Sequence, residues 1–316
     1  MTMTHKQPAN KDIQVTLEQW QMLDAVVQSG GFQRAAEQLN KSQSTVSYGV
    51  RQLQQKLGIQ LLEIRGRRAV LTDAGEAVLR RARQLLNQAK ALEKASADLA
   101  AGWEPEVTLV VDAIFPDCLV AQVLEDFAPQ SRGSRIEVIS STLSGTQDAV
   151  INGQADLAIC GQMPTGFLGE PTVEMEFVQI ASCNHPLVIQ ERLVTEDDMR
   201  QHRQIVVRDS GAYRRLDAGW LGSRERWTVS NFYQSISLIK QGLGHARLPR
   251  HMVEAELADG SIKELRLEAP GKLTYECQLV FAQKHQAGPA TQLLAEKIRY
   301  RCRQWQWQTE QQTTRS

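Results

Sequence analysis

The sequence predicts a multidomain α and α/β protein: an N-terminal winged helix-turn-helix, one long linker helix, and a larger C-terminal α/β body. Three observations predict it. Residues 16–75 carry the spacing of two crossed helices followed by a basic hairpin. The segment from residue 73 to about residue 100 repeats apolar positions every seven. From Val107 onward β-prone segments alternate with helical ones, the pattern of a parallel sheet.

The first element rests on Ala35, Ala36, Asn40 and Val46. Two crossing helices need a small residue at the crossing, which Ala36 supplies. The turn needs a residue tolerant of the left-handed region, and Asn40 is the usual substitute for glycine. Val46 then plugs the second helix into the first. At about 100° per residue, Val46, Val50, Leu53 and Leu57 share one stripe, while Ser44, Tyr48, Arg51 and Gln55 point away. A hydroxyl, a phenol, a guanidinium and an amide suit base edges and phosphates in a major groove. Gln43, Thr45 and Ser47 sit near the helix N-terminus, where base contacts concentrate. An ordinary amphipathic helix with a solvated face would show the same alternation, but it would not be followed by a wing. That wing is Gln60 to Leu71, two short β-prone pieces around Arg65-Gly66-Arg67-Arg68. A tip bearing three cations lies naturally on phosphates, which fix register without reading sequence.

Charge supports this division. Residues 1–101 hold 14 Lys and Arg against 9 Asp and Glu, a net of +5, and the remainder holds 22 against 27, a net of −5. A basic N-terminal third on an acidic body suits one end meeting an anion. The first residues have no apolar core of a secretory signal, and no run is long and apolar enough to cross a bilayer. Cys118, Cys160, Cys183, Cys277 and Cys302 are odd in number and scattered. They read as reduced thiols of a cytoplasmic protein, mostly buried.

The long helix should be capped near Thr72 or Asp73 and run to about Ala100. Val78, Leu85, Leu92 and Leu99 recur every seven residues, with Ala82, Ala89 and Ser96 between them. This is a seam of large and small residues that admits a second helix; a helix packed on its own domain is the alternative. In the body, Val107–Val111, Arg135–Ser140 and Ala155–Ile159 read as strands, and Pro116–Phe127 and Thr146–Asn152 as helices. Gly-x-Ser-x-Gly, His-Glu-x-x-His and P-loop motifs are missing from the sequence. Gly242-x-Gly244 has no third glycine, and Cys183-Asn184-His185 is thin as a zinc pair. Catalysis, a cofactor and a metal are therefore not expected.

Thr16-Leu17-Glu18-Gln19, Gly30-Gly31-Phe32, Ala35-Ala36, Ser42-Gln43-Ser44, Val46-Ser47, Leu57-Gly58 and Leu71-Thr72-Asp73-Ala74-Gly75 resemble the N-terminal domain of LysR-type transcriptional regulators. Gly153-Gln154-Ala155-Asp156-Leu157-Ala158-Ile159 resembles the same family further along, and weaker similarity continues to about residue 305. Departures fall at Ser44, Tyr48, Gln54, Leu62 and Ile64, where the family commonly has Pro, Arg, Glu, Phe and Arg. The resemblance implies a two-lobed C-terminal effector domain similar to type 2 periplasmic binding proteins. It divides the chain into a winged helix-turn-helix at 1–72, a dimerising linker helix at 73–102, and an effector-binding domain at 106–308. Lobe 1 covers about 106–175 and 276–308, lobe 2 about 176–275, and 309–316 is expected to be a flexible tail. From Arg303, with Trp305 and Trp307 among glutamines, an extra packing strand is the alternative to fraying. The implied partners are promoter double-stranded DNA, a small-molecule effector of organic-acid type, further copies of the chain as a dimer or homotetramer, and RNA polymerase.

In two-lobed α/β proteins, ligands bind between the lobes near the carboxyl ends of strands. Asp112, Ala113, Ile114 and Phe115 follow the first strand. Ser141, Thr142, Leu143 and Ser144 lead into a helix N-terminus that could hold an anion. Lobe 2 offers Arg208-Asp209-Ser210 and Ser230-Asn231-Phe232-Tyr233, and Arg208, Ser230, Asn231 and Tyr233 are taken as effector contacts. Each hydroxyl here is equally a helix cap. His245 and Arg247, two apart on a strand, share a face. Either they meet the cleft, with Arg247 the effector candidate, or they serve the structure. Two other classes remain in view. A solute-binding protein has no use for Arg65 to Arg68, and an architectural DNA-binding protein has none for a large acidic body.

Overall fold

The computed structural model describes residues 13–65, 68–212, 216, 219–269 and 273–315. The chain divides into two compact units, 1–97 and 98–316.

In the first unit α1 (Leu17–Ser29) is closed at its start by a capping box between Thr16 and Gln19. It is followed by α2 (Phe32–Gln38) and α3 (Gln43–Leu57), the latter capped by Ser42. Asn40 takes a φ of 52° between them, the left-handed turn that its side chain tolerates. Met22, Leu23, Ala35, Ala36, Val46, Val50 and Leu53 form the core. Gly49 allows α3 to close on α1, since a Cβ there would strike the Met22 sulfur. The wing is β1 (Leu62–Arg65) paired antiparallel with β2 (Arg68–Leu71), Arg65 opposite Arg68. Helix α4 (Asp73–Ala100) follows, its first turn held by the Thr72 hydroxyl accepting from the Gly75 N–H.

The second unit contains a nine-stranded sheet. Its first half holds β3 (Glu106–Asp112), α5 (Asp117–Phe127), β4 (Arg135–Ser141), α6 (Ser144–Ile151) and β5 (Leu157–Cys160). Strands β4 and β5 flank β3, both parallel to it. The chain then crosses on the long β6 (Gly169–Ser182) and continues through α7 (Pro186–Ile189), α8 (Glu196–Gln201), β7 (Gln204–Val207), β8 (Arg226–Val229), α9 (Phe232–Lys240) and β9 (His245–Pro249). After α10 (Glu254–Asp259) and β10 (Ile262–Glu264), it returns on β11 (Leu273–Phe281), which pairs antiparallel with β5 and β6. The strand order is β4-β3-β5-β11-β6-β9-β7-β8, with β10 on β6. Each lobe is thus a small sheet with parallel pairs, and the two antiparallel strands β6 and β11 run through both. The alternation signal captured the parallel parts but carried no sign of the crossing strands' direction.

The tail differs from expectation. Instead of fraying or adding a strand, the chain from Pro289 to Arg315 is one helix, α11. Ala290, Leu294, Ile298 and Cys302 recur every four residues and are buried, and Trp305 packs against the same core. No glycine or proline follows Pro289 to stop the helix. Among the described residues, no helix is long and apolar enough to cross a membrane.

Candidate DNA-binding surface and ligand cleft

Burial on α3 follows the periodicity. Val46, Val50 and Leu53 are buried, whereas Gln43, Ser44, Thr45 and Arg51 are exposed and Ser47 is half-buried. Tyr48 is 62% exposed and projects from the same helix. Two of the proposed contacts have a second role. The Ser42 hydroxyl accepts from the Thr45 N–H at 3.1 Å and lies 2.7 Å from the Thr45 hydroxyl and 2.8 Å from that of Ser44. These hydroxyls thus share in the cap. Arg65 is exposed and paired with Glu63 at 2.6 Å. Arg67 lies outside the described residues, as does the side chain of Arg68.

On α4 the heptad positions split. Val78 and Ala82 pack with Leu79 into the core of the first unit, because the helix must cover that core before it can face anything else. Leu85, Leu92 and Leu99 are exposed. The apolar seam therefore begins at Leu85 rather than at Val78.

A cleft of about 720 Å³ opens in the second unit. Of the residues predicted as effector contacts, Asp112, Ile114, Thr142, Leu143, Arg208 and Arg247 line it. The others do not. Phe115 is buried in the core, and the backbone N–H of Ala113 is spent on the Ser141 carbonyl at 2.7 Å. The Ser141 hydroxyl pairs with that of Thr146 at 2.6 Å. Ser230 and Asn231 form the cap of α9: the Asn231 side chain accepts from the Gln234 N–H, and the Gln234 side chain accepts from the Ser230 N–H, both at 2.9 Å. Tyr233 is exposed and donates to Asp117 at 2.7 Å, tying α9 to α5. The hydroxyls and amides that suit a ligand also suit helix termini, and here the helices took them.

The helix N-terminus expected to hold an anion does hold one, supplied by the protein. The Asp209 carboxylate accepts from the Ser144 N–H at 3.1 Å and the Ser144 hydroxyl at 2.5 Å, and from the N–H groups of Gly211 at 2.9 Å and Leu216 at 2.6 Å. Burial raises its pKa, but the hydrogen bonds from Leu216, Ser144 and Gly211 outweigh that and hold it below the ordinary carboxylate value. Alongside, the Thr142 hydroxyl donates to the Arg208 carbonyl at 2.8 Å, and the Thr142 N–H donates to the Ser210 hydroxyl at 2.8 Å. This clasp joins lobe 2 to the start of α6 in lobe 1. Leu143, between them, sits at φ 51°, a conformation costly for a branched side chain and held by the surrounding bonds.

Asp112 lines the cleft and is buried. Burial pushes its carboxyl up to about 6, against hydrogen bonds from Ile114 and Gly161, and Asp209 adds to the rise. His245 and Arg247 share a strand face but have different fates. Arg247 lines the cleft, while His245 is 0% exposed and bonded to Gln179 at 2.8 Å, with Ser223 and the Met199 carbonyl each at 3.2 Å. Burial lowers its pKa to about 4, so the imidazole is neutral and structural. The cleft also contains residues not anticipated from sequence, chiefly Gln204, Trp220, Arg226, Thr228, Phe177 and Tyr275.

Comparison with known proteins agrees with this architecture. Residues 17–76 match the bacterial regulatory helix-turn-helix protein, lysR family, and residues 100–303 match the LysR substrate binding domain. The chain is 32% identical over 259 residues to the uncharacterized HTH-type transcriptional regulator YeeY of Escherichia coli strain K12, covering 78% of this chain and 82% of that one. It is 27% identical over 255 residues to the HTH-type transcriptional regulator PunR of the same strain, covering 79% and 82%. Among solved structures, CbnR, a LysR family transcriptional regulator, is similar in fold with a TM-score of 0.51 at 17% identity, over 90% of this chain and 100% of that chain. The helix-turn-helix, the two-lobed domain and these relatives together place the chain in the LysR family of DNA-binding transcriptional regulators.

Proposed function

We propose that a small molecule bound in the interlobe cleft controls how this regulator engages promoter DNA. The observation that carries the reading is the cleft itself: it is bounded by both lobes, lined by Arg208 and Arg247, and bridged at one end by a clasp of hydrogen bonds that a ligand can reinforce or break. A ligand shifts such an equilibrium only by its difference in affinity between the two lobe arrangements. The excess of arginine favours an anionic effector of organic-acid type. On the DNA side Gln43, Ser44, Thr45, Ser47, Tyr48 and Arg51 face the groove, and Arg65, Arg67 and Arg68 hold phosphates. Leu85, Leu92 and Leu99 pair with a second copy, and two such dimers on adjacent half-sites form a homotetramer. RNA polymerase is the partner through which occupancy becomes transcription. Light scattering of the full chain with promoter fragments tests the assembly. A mass of four chains is expected, and a dimer both with and without DNA contradicts it.

A further inference from the structure

Strand register brings three cleft residues of lobe 2 together. Strands β7 and β8 are parallel, with Gln204 beside Arg226 and Val206 beside Thr228. Strand β9 places His245 on the other side of Gln204, two residues before Arg247. Neighbours in register share a sheet face, as do residues two apart on one strand. Arg226, Gln204 and Arg247 therefore stand on one face, and all three line the cleft.

Gln204 is unusual among them. It is 4% exposed, and its Nε2 donates to the Trp220 carbonyl at 2.7 Å. That bond fixes the orientation of the amide, since a carbonyl only accepts. The Oε1 is left buried without a hydrogen-bond partner among the described residues. Buried polar atoms are nearly always paired, so an unpaired acceptor in a cleft wall calls for a donor. Arg226 is the register neighbour of Gln204 on β8, and among the described residues none of the cleft arginines Arg208, Arg226 and Arg247 has a salt bridge. Among the described residues, an acceptor without a partner thus stands in register with a cation without an ion pair, with Trp220 and Val206 as apolar wall.

We infer that the cleft selects a small carboxylate bearing an O–H or neutral N–H on the carbon next to the carboxylate. Arg226 and Arg247 meet the carboxylate, Gln204 Oε1 accepts the donor hydrogen, and the apolar remainder lies against Trp220 and Val206. A free ammonium is disfavoured beside the Arg226 and Arg247 guanidinium groups, and a plain acid leaves the Gln204 oxygen unpaired. The oxygen is closed off from water, so contact needs a small shift of the cleft wall, of the kind that side-chain rotamer changes supply on binding. The inference rests on the reading of the cleft as the effector site.

The test is calorimetric titration of the full chain with three probes: 3-phenyllactate, 3-phenylpropionate, which lacks the hydroxyl, and 3-phenyllactamide, which lacks the charge. Phenyllactate should bind at least about tenfold more tightly than phenylpropionate, because only it pairs the buried acceptor. In Gln204→Met the two acids should bind alike. In Arg226→Met the preference for acid over amide should shrink while the hydroxyl preference remains, which keeps the test alive if Gln204→Met does not fold. Equal binding of both acids by the parent protein overturns the inference, as does binding of neither. Trp220→Ala separates the cleft as effector site from the role of Gln204 within it. Weaker binding of both acids, with no hydroxyl preference in the parent, leaves the cleft as effector site and removes only the role of Gln204. Binding untouched by Trp220→Ala, Gln204→Met and Arg226→Met removes both.

Discussion

Removing the Asp209 carboxylate is the perturbation whose cost follows most directly from the clasp. In Asp209→Ala the Ser144 N–H and hydroxyl, the Gly211 N–H and the Leu216 N–H all lose their acceptor. Hydrogen bonds to a charged group contribute about 1.5–3 kcal/mol each when a partner is removed. Asp209 is only half-buried, so water recovers part of each, and one carboxylate serves all four. A total of about 2–4 kcal/mol is the reasonable scale. For a unit the size of residues 98–316, a loss of 1 kcal/mol lowers Tm by roughly 2–4 °C, so the expected fall is roughly 5–15 °C. The pH dependence has a definite sign. The folded carboxyl lies below its ordinary value, so its contribution is full at pH 7 and disappears only as pH falls through the acidic folded pKa. Scanning calorimetry of the full chain from pH 7 to pH 3 should show the parent and variant converging in acid. A variant melting within a degree or so of the parent at pH 7 would refute the clasp as a stabilising element.

Three further outcomes are expected. Tyr48→Ala should weaken binding to a specific site more than to random DNA, by roughly 1–3 kcal/mol, in a filter or anisotropy titration; equal losses would make Tyr48 a backbone contact. Leu92 is 70% exposed on α4, so Leu92→Asp should drive the protein towards monomer in sedimentation equilibrium, and an unchanged mass would remove the seam from the interface. His245 is buried neutral with its pKa at about 4 against an ordinary 6.5, so its contribution is full above pH 6.5 and is lost as pH falls towards 4. By pH 5 that amounts to about 2 kcal/mol, so the loss of stability between pH 7 and pH 5 in denaturant unfolding should be smaller by about that much in His245→Gln than in the parent, the remainder coming from buried His185 and half-buried His251.

The DNA-binding unit was largely legible because its signals are short-range. Ala36, Asn40 and Val46 are a few residues apart, and each has one physical reason to be where it is. The cleft was legible as a place but only partly as a composition. Asp112, Thr142, Arg208 and Arg247 could be named from strand ends. Gln204 and Arg226 could not, because they meet only through the pairing of β7 with β8, which no local pattern encodes. Ser230, Asn231 and Ser144 are engaged at helix termini and do not line the cleft: the same oxygens and amides that bind ligands also satisfy helix termini, and sequence does not say which demand prevails. The glutamine-rich end of α11 hid a four-residue apolar repeat that continues to Cys302.

The account stands most directly on coupling between cleft and DNA, which can be measured before any effector is known. Crosslinking the parent and Arg247→Ala proteins to DNA in the host, and sequencing what each retains, reads both ends of the molecule at once. The account predicts a small set of sharp promoter peaks shared by the two proteins, with occupancy or transcription at those peaks altered in the variant. Diffuse retention by the parent would contradict specific regulation. Identical occupancy and transcription in the two proteins, under growth conditions where the parent's targets respond, would contradict control from the cleft.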